Sequence, residues 1–167
     1  MKDRAGSNDS GGRAQSSTPD LGLANHVAGA GLLNNIVASY RSAITIMTDK
    51  HTTNINLLAM PGIREAFITD EAMEATKAYT LAMYVMDLIK YDSSGTRLFD
   101  NDTEKPDPRE TAEQLDSRGI NNNYAATYFP DVFIEDPTNN RHVKVPASVV
   151  AMGALAFSDK SSYPWYA

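Results

Sequence analysis

The sequence predicts an α/β fold in which a small, mostly parallel sheet is flanked by helices. Segments with helical spacing alternate with short apolar segments, and this alternation is typical of parallel sheets covered by helices. The segment Leu81–Ile89 is apolar apart from Asp87, as in a strand that is covered on both faces. Ser, Gly, Asp and Asn dominate the first twenty residues, which offer almost nothing to bury. We therefore predict a disordered leader at 1–30 and one α/β domain at 31–167.

The composition excludes several classes of function. The 167 residues contain 15 Lys and Arg against 21 Asp and Glu, a net charge of -6. That balance argues against a general nucleic-acid binder, which needs a basic face. The chain has no cysteine, which excludes disulfides, thiolate metal sites and cysteine nucleophiles. The apolar runs fall short of the ~20 residues of a membrane helix, so we expect no membrane insertion.

The first predicted helix ends near Asp49 and has a single apolar stripe. The stripe consists of Leu32, Leu33, Ile36, Val37, Tyr40, Ala43, Ile44 and Met47. A short apolar run, Ile55–Met60, follows and predicts a buried strand. That strand stops at Pro61, which has no amide hydrogen to donate to a neighbouring strand.

A second helix is predicted from Thr69-Asp70-Glu71, which supplies a capping side chain and negative charge. We expect it to end near Tyr79, with an inner face made of Ala72, Ala75, Ala78 and Tyr79. Periodicity alone also allows one long helix from Asp70 to Ile89. The apolar character of Leu81–Ile89 favours a helix followed by a strand.

The polar segment from Lys90 to Asp107 is predicted to be a loop. Pro108 opens a polar helix that Gly119 closes. The next strand, Tyr124–Phe129, ends at Pro130.

The last part of the chain is predicted as an extended segment, a turn and a helix. Val132–Ile134 is extended, Asp136–Arg141 is the turn, and the helix starts at Pro146 with Ser148 stabilising its first turn. The expected buried side of this helix consists of Val149, Val150 and Met152, continued by Leu155 and Ala156. Three parallel strands make a thin sheet with open edges, which the N-terminal region or another chain is expected to complete.

No cofactor, metal or catalytic group is expected from the motifs. The histidines His26, His51 and His142 have no metal-ligand spacing and are predicted to lie in loops or on the surface. Asp100–Glu104 resembles the opening of a calcium loop. Its sixth position, however, holds Lys105 in place of the glycine that such a loop needs. A solvated polar loop is therefore predicted there.

Five segments, in the right order, resemble those of contractile tail sheath proteins. The first three are a strand followed by Pro-Gly (Asn54–Ile63), a second core strand (Ala82–Asp87) and a Tyr-Ala-Ala strand that ends in Pro (Asn123–Pro130). The last two are a Val-Pro-Ala-Ser helix start (Val145–Ser148 with Ala151–Gly153) and a C-terminal aromatic segment (Ser158–Asp159 with Tyr163–Ala167). The resemblance covers about residues 39 to 167.

The match to this family departs from the pattern in two respects. Ala147 stands where the family commonly has proline, and the chain stops at Ala167, before the family's C-terminal domain. We therefore expect a fragment that lacks the family's N-terminal region and its C-terminal domain.

The resemblance implies a structural protein of the virion, made in the bacterial cytoplasm. Sheath subunits form homo-oligomeric stacked rings around a tail tube, and baseplate triggering makes them contract and drive the tube through the host envelope. The energy comes from repacking a bistable assembly, without nucleotide hydrolysis. Terminal arms link the subunits by adding strands to a neighbour's sheet. The family core follows a subtilisin-like chain path, which implies no protease activity.

Two other functions stay open at this point. A small α/β hydrolase or nucleotide-binding domain would place its site in the loops after Met60, Leu88 and Pro130, where the strands end. Asp87 would be its acidic candidate, although a buried, hydrogen-bonded structural Asp is the simpler interpretation. A third hypothesis is an interaction module that uses the acidic residues 100–116. A sheath subunit predicts ordered self-association, an enzyme predicts a pocket with a perturbed titratable group, and a module predicts a stable monomer.

Overall fold

The structure is a computed structural model that describes residues 34–99, 103–161 and 163. The predicted leader at 1–30 lies outside the described residues. Within them, the predicted α/β class is confirmed. The helices are α1 (Asn35–Met47), α2 (Ala66–Tyr79), α3 (Pro108–Asp116) and α4 (Ala147–Ser161). The strands are β1 (Leu57–Ala59), β2 (Met83–Asp87), β3 (Lys90–Tyr91), β4 (Arg97–Leu98), β5 (Ala125–Tyr128), β6 (Val132–Asp136) and β7 (Arg141–Val145).

The centre of the fold is a three-stranded parallel sheet in the order β1-β2-β5. Tyr84 of β2 lies opposite Leu58 of β1 and Ala125 of β5. Helix α2 connects β1 to β2, and α3 lies between β2 and β5 in the chain. The crossover pattern that the sequence predicted is therefore present. In the part of the chain that the structure describes, β1 and β5 each pair on one side only.

The predicted break between α2 and β2 is confirmed. Thr80 follows α2 with a left-handed backbone (φ 65°), and its amide donates to the carbonyl of Thr76. That conformation stops the helix, so the alternative of one long helix to Ile89 is wrong. Strand β2 then runs with four of its five residues buried.

The two faces of the sheet are covered by different helices. Tyr84 and Met86 of β2 belong to the main apolar core, which Val37 and Ile44 of α1 and several residues of α2 complete. Because side chains alternate along a strand, Val85 and Asp87 point to the opposite face. Helix α4 packs there, against β2 and β5.

Helix α2 begins earlier than the sequence predicted. It starts at Ala66, and Glu65 occupies the N-cap position without a side-chain cap. Thr69 is therefore no cap but a fully buried residue of the first turns. The predicted inner face is correct for Ala72 and Tyr79, while Ala78 is exposed.

Helix α3 follows its local signals closely. The Asp107 side chain accepts hydrogen bonds from the amides of Arg109 and Glu110, and Pro108 occupies the first turn. Gly119 adopts a positive φ of 61° after the helix. The predicted start and stop signals are both used.

Two antiparallel hairpins depart from the sequence prediction. β3 and β4 pair within the segment predicted as a loop. β6 and β7 pair over five residues each, which we call the ribbon. The sequence analysis predicted the extended segment that forms β6 and the turn of the ribbon, but it did not predict β7. Strand β7 is too polar to be recognised as a strand from the sequence, because it contains Arg141, His142 and Lys144.

The terminal helices are less buried than predicted. In α1, Val37 and Ile44 are buried, whereas Ile36 and Met47 are exposed. In α4, the buried residues are Ala147 and Ser148. The predicted core residues Val149, Val150, Leu155 and Ala156 are exposed, and Met152 is half-buried. No helix among the described residues is long and apolar enough to span a membrane.

Candidate functional site at the carboxyl edge of the sheet

Asp87, the last residue of β2, is the centre of a buried hydrogen-bonded knot. One carboxylate oxygen accepts the Ser148 amide at 3.0 Å. The other accepts the Gly62 amide at 2.9 Å and the Ser148 hydroxyl at 2.7 Å. We call these three residues the Asp87 knot. It ties the end of β2 to the turn after β1 and to the first turn of α4.

The knot explains how α4 begins. A carboxylate at a helix N-terminus accepts free amides and stabilises the positive end of the helix dipole. Asp87 supplies that carboxylate from a different element, 61 residues away in the chain. The prediction that Ser148 stabilises the helix start is therefore refined, because its hydroxyl donates to Asp87.

Gly62 makes the knot possible from the β1 side. Its φ of 83° is a left-handed conformation that turns the chain directly after Pro61. A Cβ at Gly62 would lie 3.9 Å from Cγ of Pro146, the residue before α4. The Pro-Gly turn and the Pro-Ala-Ser helix start thus lie side by side.

A second cluster joins the segments that follow all three parallel strands. The carboxylate of Asp131, after β5, accepts Nη2 of Arg64 at 3.0 Å and 3.2 Å and Nζ of Lys90 at 2.8 Å. The Asp131 side chain is 11% exposed, and that of Lys90 is 3% exposed. Breaking an ion cluster with so little exposure to water strongly lowers the stability of the fold, because removing its carboxylate leaves buried positive charge without a partner. We call it the Asp131 cluster.

Glu65 is a buried carboxyl group beside the same edge. Desolvation raises its pKa to about 7, although the Ala66 amide and the positive charge of Arg118 oppose the shift. Arg97 approaches it at 3.4 Å, longer than a good charge-assisted hydrogen bond. Burial also lowers the pKa of Arg97. Burial therefore disfavours the charged form of both Glu65 and Arg97.

The polar groups within the Asp87 knot, and those within the Asp131 cluster, are bonded to one another. Ser148 donates its hydroxyl to Asp87, and no described histidine is bonded to either residue. His51 and His142 are exposed, and His26 lies outside the described residues. Among residues 34–99, 103–161 and 163, no group of three or more His, Asp or Glu is placed to hold a metal ion.

An open apolar cavity of about 320 Å³ lies between α2, α3 and the strands β2 and β5. Its apolar lining includes Met73, Leu115 and Ile120, and its polar lining includes Asn122 and Thr127. The amide of Asn122 is already used, since it donates to the Met73 carbonyl at 3.0 Å. Asp116 is the one titratable residue among the described residues that line this cavity.

The sequence identified one member of the site and missed its partners. Asp87 was recognised because it is the only acid in an apolar strand. Gly62 and Ser148 carry no local signal of a bond to it. Comparisons of this chain with protein-family models, with curated proteins and with solved structures find no match.

Proposed function

We propose that this chain is a structural subunit of a contractile tail sheath. In this role it assembles with identical copies into stacked rings around a tail tube, receives its trigger from the baseplate, and acts in the virion. The chain itself performs no turnover. Contraction is a change in the packing between subunits.

The Asp87 knot is the observation that carries this proposal. Three of the five segments that resemble sheath proteins are distant in sequence: the Pro-Gly segment, the second core strand and the Pro-Ala-Ser helix start. In the structure they meet through Gly62, Asp87 and Ser148. Segments that resemble a family pattern and also bond to one another in the structure support a shared fold. The contact among them explains why the three segments occur together in one chain.

The surface of the domain also favours assembly over a free monomer. Both edges of the parallel sheet lack a neighbouring strand among the described residues. Helix α4 leaves most of its apolar side chains exposed. Open edges and contiguous apolar surface are typical of proteins that bind other chains.

The enzyme hypothesis receives less support from the same residues. Its acidic candidate, Asp87, has both carboxylate oxygens engaged by three donors. A general base needs a free lone pair within reach of a substrate proton. Asp87 is 3% exposed, so the lone-pair site that the three donors leave open lies out of reach of a substrate.

The proposal is tested by assembly of the purified chain with a tail tube. Sedimentation velocity over a concentration series, followed by electron microscopy, should show ordered particles that surround tube segments. A single monomeric species at every concentration, with and without tubes, would contradict the proposal. Hydrolysis of an ester or nucleotide that is lost in Asp87→Asn would instead support the enzyme hypothesis.

A further inference from the structure

The open cavity between α2, α3, β2 and β5 has a lining whose polar groups are already bonded within the protein. The Asn122 side chain donates to the Met73 carbonyl at 3.0 Å and accepts the Tyr124 amide at 2.7 Å. The Thr127 hydroxyl donates to the Met86 carbonyl at 2.9 Å. What these side chains offer to an occupant of the 320 Å³ cavity is therefore mainly apolar surface.

Helix α3 adds one negative charge to this apolar cavity. Of its three acidic residues before the last, Glu110 accepts the side-chain amide of Gln114 at 2.9 Å, and Glu113 pairs with Arg109 at 3.1 Å. The last acidic residue of α3, Asp116, lines the cavity and is exposed. Its carboxylate bonds to no other residue in the part of the chain that the structure describes. The cavity therefore suits an apolar group that carries one positive charge.

The ribbon presents such a group on one of its faces. Phe133 is 69% exposed, and Lys144 lies directly opposite it on β7. Residues directly opposite in an antiparallel pair point to the same face, with Cβ atoms ~4.5–5.5 Å apart. Lys144 is exposed and has no ion-pair partner within the described ranges. Glu135 and His142, the next pair on this face, lie opposite each other.

The cavity and the pair formed by Phe133 and Lys144 match in size and in charge. An apolar cavity of ~150 Å³ holds a benzene molecule, so a cavity of about 320 Å³ admits the ring of Phe133 and the methylene groups of Lys144. Lysine side chains bury their methylene groups against apolar surface and keep the ammonium group in water. With the ring inside the cavity, the ammonium group would lie at the exposed carboxylate of Asp116.

The ribbon does not fill the cavity of its own chain. Phe133 is exposed and the cavity is open in the same molecule. The strands β6 and β7 pack mainly against each other, and a two-stranded ribbon without further packing is marginally stable. A contact with a second copy would cover the ribbon and the cavity at once.

We infer that the ribbon of one copy inserts Phe133 into the cavity of a second copy, with Lys144 paired to Asp116. The contact joins two different surfaces, so it is head-to-tail and propagates into rings or filaments. The inference rests on the proposed function, for which it names a contact between subunits.

Two variants test the contact from its two sides. Phe133→Ser removes the aromatic ring from the ribbon, and Ala112→Phe places a ring in the cavity from α3. Both positions are exposed, so both variants should fold. Each alone should associate at least ~tenfold more weakly than the original chain in sedimentation velocity. Ala43→Phe, the same substitution at an exposed position of α1, is the matched control and should assemble normally.

Mixing the two variants gives the decisive result. The Phe133→Ser chain keeps an open cavity, and the Ala112→Phe chain keeps an intact ribbon. Together they should form one-to-one heterodimers that grow no further, because each partner then has no second functional surface.

Reversing the two charges tests the pairing of Lys144 with Asp116. Lys144→Glu and Asp116→Lys should each weaken association ~fivefold, and the chain that carries both should associate as the original does. Lys160→Glu makes the same change of charge at the exposed end of α4 and should have no effect. Equal loss in the singly and doubly reversed chains would overturn the pairing.

The outcomes separate this inference from the proposed function. Normal assembly of both Phe133→Ser and Ala112→Phe would overturn the ribbon contact and leave the sheath proposal standing. Loss of assembly in both, with no heterodimer on mixing, would also overturn the contact. Failure of the original chain to assemble, alone or with tubes, would count against both.

Discussion

Replacing Asp87 with alanine removes the one carboxylate that joins β1, β2 and α4. Three donors then lose their acceptor: the amides of Gly62 and Ser148 and the Ser148 hydroxyl. Hydrogen bonds to a charged group contribute ~1.5–3 kcal/mol each, and a buried donor left without a partner costs a similar amount. Because losses within one network are not additive, we expect Asp87→Ala to lower the free energy of unfolding by ~3–5 kcal/mol.

Urea unfolding followed by circular dichroism measures this change. With a denaturant slope of ~1–3 kcal/mol per molar for a domain of this size, the midpoint should fall by ~2 M. Ser148→Ala removes only the hydroxyl bond and should cost ~1–2 kcal/mol. Glu74→Ala, on the exposed side of α2, serves as the control and should change little.

The double variant checks that the two residues act through each other. Asp87→Ala already abolishes the bond to the Ser148 hydroxyl, so the combined loss should be ~1 kcal/mol smaller than the sum of the single losses. The reasoning is refuted if Asp87→Ala costs less than ~1 kcal/mol. It is equally refuted if the two substitutions are additive.

Three further predictions concern stability. Asp131→Ala should cost ~3 kcal/mol because it removes the carboxylate of a buried ion cluster, whereas Arg109→Ala, which breaks an exposed pair, should cost under ~0.5 kcal/mol in the same unfolding assay. Glu65 has a pKa of about 7, above its usual 4.5, so the native state binds the proton more tightly and stability falls as pH rises through that window. The free energy of unfolding of Glu65→Gln should therefore rise by up to ~3 kcal/mol relative to the original chain as the pH increases from 4.5 to about 7. Parallel pH profiles of the two proteins would contradict this. The Tyr84 hydroxyl is buried with no hydrogen-bond partner among the described residues. Tyr84→Phe should thus leave the melting temperature unchanged or raise it, and a clear loss would reveal a bond to that hydroxyl.

Elements with local signals were predictable from the sequence. Helix α3 has a capping Asp107, a Pro108 in its first turn and a glycine after it, all within thirteen residues. Strand β2 was predicted because a short apolar run with one acid suits a central parallel strand. Such signals depend on the backbone and on near neighbours, so tertiary structure does not override them.

The start of α2 and the orientation of α4 were not predictable. In the sequence, Thr69 resembles an N-cap residue. In the structure it lies inside the helix, because its side chain is buried in the core. Helix α4 is apolar on every side, so no face of its sequence marks the side that meets the sheet. In both cases contacts between distant elements decide the outcome.

The site was predictable only in part for the same reason. Asp87 stands out within β2, but its partners lie 25 and 61 residues away. Arg64 and Asp131 are separated by 67 residues. Glycine, serine and a surface-like arginine carry no pattern that pairs them across such distances, so only the fold brings them together.

The most direct test of the sheath proposal is to locate the chain in contractile particles. Particles would be purified from induced cells that carry the gene and labelled with gold-coupled antibody raised against the exposed ribbon turn at residues 137–140. The proposal predicts gold along the whole outer length of extended or contracted tails. Gold confined to another part of the particle, or particles free of the chain by mass spectrometry, would contradict it.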